Sequence, residues 1–176
     1  MLFILDRDGV INTESKDFIK SEKEWHAIPG SLEAIAKLTK ANHQIVIATN
    51  QSGVGRKLFS LKALEEIHKK MLNEIEKSGG KINKVYFCPH RPDENCNCRK
   101  PKTGMLKQIF KDFKINPIDA IAIGDSLRDL EAGSKMGCRL VLVRTGNGKF
   151  TEKNLQGLYP NIEIFDNLLD VASSLI

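Results

Sequence analysis

Five short apolar runs, at 2–5, 44–48, 85–87, 120–123 and 140–143, are separated by segments with helical periodicity. Runs of that length and composition read as strands, and strands alternating with amphipathic helices assemble into a parallel sheet covered by helices. The expected class is therefore α/β: a three-layer, Rossmann-like sheet with helices on both faces, built as one domain over 1–176.

The clearest helix is predicted to start after Ser60, whose hydroxyl suits an N-cap. It places Leu61, Leu64, Ile67, Met71, Leu72 and Ile75 on one face before Gly79-Gly80 stops it. Another is predicted after Pro29-Gly30-Ser31, with Leu32, Ile35 and Leu38 inward, and shorter ones after Gly104 and Ser126. The stretch 88–102 holds three prolines and no periodicity, so it reads as a long loop that needs a device to order it.

With 176 residues, 41% of them hydrophobic, the chain can build a core without disulfides. It has no run of 18 apolar residues, and its first strand meets Asp6 at once instead of extending into a signal-peptide core. These features predict a cytoplasmic protein with no membrane partner. The net charge of +5 is spread along the chain with few aromatic residues interleaved, so a small anionic ligand accounts for it as well as nucleic acid does.

In an open parallel sheet, ligands bind beyond the carboxyl ends of the strands. Here those ends read Asp6-Arg7-Asp8-Gly9, Thr49-Asn50-Gln51-Ser52-Gly53 and Gly124-Asp125-Ser126, with Asp129 one helical turn further on. Singly, each has an ordinary structural use: Asp-x-Asp in a turn, Thr49 as a strand end, Asp125 as a helix cap. Jointly they suit phosphoryl chemistry, with Asp6 attacking phosphorus and Asp8 handling the leaving-group proton. A phosphate ester and several carboxylates repel one another, so the site needs a hard cation with oxygen ligands; magnesium fits, held in part by Asp125. A lysine would add a complementary charge, worth roughly 4 kcal/mol before desolvation at about 4 Å and an effective dielectric near 20. Lys100 and Lys102 are the two candidates.

Cys88-x-His90 and Cys96-x-Cys98 together offer four soft or borderline donors in two close pairs. The set suits a closed, tetrahedral, structural zinc site, the alternative being buried free thiols. Zinc would order 88–102 and make it a wall of the crevice. Cys138, His26, His43 and His68 read as packing or solvated side chains.

These residues resemble the haloacid dehalogenase superfamily of phosphatases, whose four motifs look like Asp6-x-Asp8, Thr49, a lysine near position 100, and Asp125 with Asp129. The runs from Asp6 to Asn12 and from Thr49 to Gly53, with Cys88-Pro89-His90 and Cys98-Arg99-Lys100-Pro101, further resemble its heptose-bisphosphate and histidinol-phosphatase branch. Within that branch Trp25 ahead of Pro29-Gly30, Gly104-Met105-Leu106 and the run from Gly124 to Leu130 are similar to the heptose-bisphosphate side. The resemblance implies Asp6 as nucleophile, Asp8 as general acid and base, Thr49 and Lys100 as phosphoryl stabilisers, and Arg99 as a substrate contact. It also implies magnesium on the Asp6 side chain, the Asp8 backbone carbonyl and Asp125, with Asp129 behind them.

A chain of this size has no room for a large cap domain, so selectivity is expected from the loops at 12–23, 50–57 and 88–102. Asn50, Gln51, Ser52 and Arg56 are further expected contacts, with Arg56 and Arg99 gripping a distal phosphate. The expected substrate is the 7-phosphate of a heptose 1,7-bisphosphate, turned over by a monomer. The alternatives are histidinol phosphate and, in a different class, a zinc-stabilised nucleic-acid-binding module.

Overall fold

The computed structural model describes residues 1–175. In chain order its elements are β1 (Leu2–Leu5), α1 (Ser31–Lys40), β2 (Gln44–Asn50), α2 (Ser52–Gly55), α3 (Leu61–Lys77), β3 (Lys84–Cys88) and α4 (Gly104–Phe113). They continue with β4 (Ala120–Gly124), α5 (Leu127–Met136), β5 (Arg139–Val143), α6 (Gly148–Asn154), β6 (Glu163–Phe165) and α7 (Leu168–Ser174). All six strands pair in parallel in the order β3-β2-β1-β4-β5-β6.

The central strands are apolar on both sides because helices cover both faces. Side chains alternate with period two, so Phe3, Leu5, Ile45, Ile47, Ile121 and Ile123 share one core with residues of α1, α3 and α7. Leu2, Ile4, Val46, Ala48, Ala120 and Ala122 point the other way and pack with residues of α4 and α5. This is the expected three-layer α/β arrangement.

Ser60 does cap α3, its Oγ accepting from Ala63 N at 3.0 Å, and Gly80 N closes the far end on Ile75 O at 3.0 Å. Leu64, Ile67, Met71 and Ile75 are buried as expected, but Leu61 is 50% exposed. It is the first residue of the helix, and the inward stripe begins only one turn later. On α1, Ile35 and Leu38 are fully buried, while Leu32 packs at the margin of the core.

Leu5 pairs with Ile47 on one side and Ile123 on the other. The ends of β1, β2 and β4 therefore stand at nearly the same height. The strand order reverses between β1 and β4, which is where a sheet of this kind opens a crevice. No helix among the described residues is long and apolar enough to cross a membrane.

Candidate active site

Asp6 follows β1 directly, and its N–H continues the strand pairing by donating to Ile123 O at 3.0 Å. The buried ammonium of Lys100 lies 3.1 Å from Asp6 Oδ1 and 2.7 Å from Asp129 Oδ1, and it donates to Ala48 O at 2.6 Å. One proton goes to the Ala48 carbonyl, and the two carboxylate oxygens face the ammonium as ion-pair partners. Asp129 Oδ2 accepts from Ser126 N–H at 3.1 Å and from its hydroxyl at 2.6 Å, which closes the first turn of α5. Asn50 fixes the backbone at Lys100 from both sides, donating to Lys100 O and accepting from Lys100 N, each at 3.0 Å. Lys102 faces elsewhere and donates to Cys96 O. Of the two candidate lysines, Lys100 is the one at the acids.

Asp6, Asp125 and Asp129 bring one carboxylate oxygen each within 4.8 Å of the others. Burial raises Asp6 to about 6 although Lys100 opposes it, and burial together with Asp6 and Asp129 raises Asp125 to about 8. Three buried acids lie together and Lys100 pairs with only two of them, Asp6 and Asp129, so the cluster lacks positive charge. Asp125 is also tightly seated. Asn147 N–H donates to its Oδ2 at 2.8 Å. A Cβ added at Gly9 (φ +80) or Gly146 (φ +56) would lie 2.0 or 2.2 Å from that oxygen. Oxygen-only donors, short of compensating charge and held in a rigid cradle, fit a hard divalent cation.

Asp8 is fixed by three side chains. Arg7 Nη2 donates to its Oδ1 and Oδ2 at 3.0 and 3.1 Å, Asn12 Nδ2 to Oδ1 at 2.8 Å, and Gln51 Nε2 to Oδ2 at 2.9 Å. Burial pushes its pKa upward as the largest single influence, but Arg7, Asn12 and Gln51 together outweigh it and hold Asp8 below the usual carboxylate range. Gln51 also donates to Thr49 Oγ1 at 2.9 Å.

Above this floor a crevice of about 200 Å³ is lined by Asp6, Asp8, Asn50, Gln51, Ser52 and Arg99, and also by Glu14, Ser15, Lys16, Phe18, Ile19 and Arg128. Thr49, Lys100, Asp125 and Asp129 lie buried beneath it. Arg56 is not part of the lining; its Nε donates to Ser52 Oγ at 3.4 Å. Arg99 Nη1 is buried and has no hydrogen-bond partner among the described residues. Burial, then the nearby Arg128 and, less strongly, Arg56, lowers the Arg99 pKa, so this wall is crowded with positive charge. Arg128 and Lys16 were not singled out from the sequence. Arg128 carried one signal, a cation in the first turn of a helix, where the macrodipole disfavours it.

Cys88, His90, Cys96 and Cys98 also converge. Cys88 Sγ lies 3.1 Å from Cys98 Sγ, 3.6 Å from Cys96 Sγ and 3.4 Å from His90 Nδ1, which is 3.3 Å from Cys98 Sγ. A tetrahedral metal with thiolates at about 2.3 Å has donor–donor edges of roughly 3.7 Å. The four atoms are thus placed to take up one ion with little movement. Thiols this close that are not joined as disulfides fit such an ion better than they fit ordinary packing.

The fold has known counterparts: the chain belongs to the haloacid dehalogenase-type hydrolases. The HAD-hydrolase-like family model matches residues 97–171. Over nearly its whole length the chain is similar to one kind of enzyme in that family. D-glycero-β-D-manno-heptose-1,7-bisphosphate 7-phosphatase of Bordetella bronchiseptica is 46% identical over 99% of this chain and 97% of its own. The enzyme of the same name from Neisseria meningitidis serogroup A is 46% identical over 97% of this chain and 92% of its own. The crystal structure of the B. bronchiseptica D,D-heptose 1,7-bisphosphate phosphatase, complexed with magnesium and phosphate, superposes with a TM-score of 0.96 over 99% of this chain and 97% of that one.

Proposed function

We propose that this protein is a magnesium-dependent phosphatase that hydrolyses the 7-phosphate of D-glycero-D-manno-heptose 1,7-bisphosphate through a phospho-aspartate on Asp6. The observation that carries the reading is the convergence of Asp6, Asp125 and Asp129, with Lys100 paired to Asp6 and Asp129, beside an anion-receptive crevice. The names and the 46% identity of the relatives support the choice of substrate. In this reading the enzyme works in the cytoplasm as a monomer.

Asp6 attacks the phosphorus, forming the carboxylate–phosphorus bond as the sugar oxygen leaves. Asp8 gives that oxygen a proton, then takes one from the water that hydrolyses the phospho-aspartate. Arg7 favours the base form of Asp8 in the resting site, which suits the second step. The negative charge of an arriving phosphate acts in the opposite sense and favours the acid form needed for the first. Thr49 and Lys100 stabilise the phosphoryl oxygens. Asn50, Gln51, Ser52, Arg56 and Arg99 hold the substrate or the loops that meet it, and the free Nη1 of Arg99 is suited to the distal phosphate. Magnesium, held by Asp6, Asp125 and the Asp8 carbonyl with Asp129 behind, would neutralise charge between the carboxylates and the phosphoryl group. Zinc is the ion proposed for Cys88, His90, Cys96 and Cys98, in a structural role.

Replacing Asp6 by Asn removes the attacking charge while keeping the shape. Phosphate release from the heptose bisphosphate in magnesium is expected to fall on the order of a thousandfold or more. Release that survives in Asp6→Asn, or faster turnover of histidinol phosphate by the native enzyme, would overturn the assignment.

A further inference from the structure

Arg7 is fully buried, and its guanidinium has a partner on each side. One side holds Asp8. On the other, Arg7 Nη1 lies 3.2 Å from Nε2 of His68, a buried side chain on α3. A guanidinium has only protons to give, so Nε2 is the acceptor and His68 is neutral with its proton on Nδ1. Burial, followed by the charge of Arg7, lowers the His68 pKa to about 3, with Asp8 opposing weakly.

His68 occupies a core-facing position between Ile67 and Met71, where a hydrocarbon side chain would serve for packing alone. Its ring rests 5.9 Å from that of Phe87. Placing an imidazole there gives a buried cation its second acceptor. Without one, a guanidinium proton would be left unpaired away from water, which is disfavoured.

We propose that His68 is a positioning residue for Asp8. By accepting from Nη1 it fixes the plane of the Arg7 guanidinium, so that Nε and Nη2 both face the Asp8 carboxylate, at 3.2 and 3.0 Å from Oδ1. If the acceptor is removed, Nη1 must seek another oxygen, the guanidinium turns, and Asp8 is no longer aimed at the leaving group. The inference rests on the role given above to Asp8 as acid and base. Asp8 acts on the proton in flight and not on the bound substrate, so the loss falls on kcat and spares KM.

The test compares His68→Phe, which keeps an aromatic ring against Phe87 but cannot accept, with His68→Gln, whose amide oxygen can. Native enzyme and Asp6→Asn are run in the same phosphate-release assay. His68→Phe is expected to lower kcat by about 10- to 100-fold, as when a supporting partner is removed from a reacting group, with KM within about twofold of native. His68→Gln is expected to recover most of kcat even where both variants melt at a similar temperature. Native kcat in His68→Phe overturns the inference, as does a His68→Gln variant as slow as His68→Phe. Should His68→Phe fail to fold, His68→Leu takes its place against the same Gln variant. Phosphate release retained in Asp6→Asn fails the functional reading itself, whereas an inert Asp6→Asn beside a native-like His68→Phe fails only the role of His68.

Discussion

A methyl group on Gly146 would sit 2.2 Å from Asp125 Oδ2, in a backbone conformation with φ +56 that L side chains rarely adopt. Gly146→Ala is therefore expected to push the Asp125 carboxylate out of the acid cluster. The magnesium concentration giving half-maximal phosphate release should rise about tenfold or more, measured by titrating magnesium into the purified variant. An unchanged titration would remove Asp125 from metal handling. Single residues differed in how readable they were. Asp6, Asp8, Thr49 and Asp125 stood out because each lies at or just beyond the end of a strand, and the carboxyl ends of parallel strands share one edge. Gly146, Arg128 and His68 gave little or no such signal, because their partners, Asp125, Arg99 and Arg7, are set by tertiary packing.

At the scale of elements, the stretch from the last residue of β3 to the start of α4 carries both the Cys/His cluster and the lysine of the site. Cys98 is followed immediately by Arg99 and Lys100, so an ion held by the cluster would also hold the wall of the crevice. Stripping it with a chelator, then restoring magnesium alone, is expected to raise KM about tenfold. The same treatment should lower Tm by roughly 5–10 °C, a loss of about 2–3 kcal/mol for a chain of this size. Kinetics and melting both unchanged after metal is shown to be gone would leave the cluster without a structural role. The strands with apolar runs were legible to within a residue or two at their ends, as was α3, and so were the starts of α1, α4 and α5. The sheet edge was not: β6 has three half-buried residues, too few for a periodic pattern. The seven-residue α6 and α7 likewise present barely two turns each, and α7 is held by its Asn167 cap, which accepts from Asp170 N at 3.0 Å, and by packing on α1.

For the whole molecule, alternation of strands and helices was enough to read a parallel sheet with two covered faces. The two cores lie on opposite faces of the sheet, and Asp6 and Asp125 stand at the ends of its inner strands, so packing and chemistry can be altered separately. Ile47 is fully buried in the core shared with α1 and α3. Ile47→Ala is expected to cost about 2–5 kcal/mol of stability, read from urea unfolding, while kcat and KM at low temperature stay within about twofold of native. A large loss of kcat with little loss of stability would mean that the core reaches the site directly.

Lys100 joins the ends of three segments through one nitrogen: Asp6 after β1, Ala48 on β2 and Asp129 on α5. Its ammonium already faces two carboxylates, which on the proposed role of Lys100 would stand in for the charge of the phosphoryl group. An incoming phosphate would then have to draw that proton donor away from a neighbouring acid. On the proposed role of Lys100, a neutral sugar would bring no charge to offer in exchange, and selection against it would be set below the loops, at the floor of the crevice.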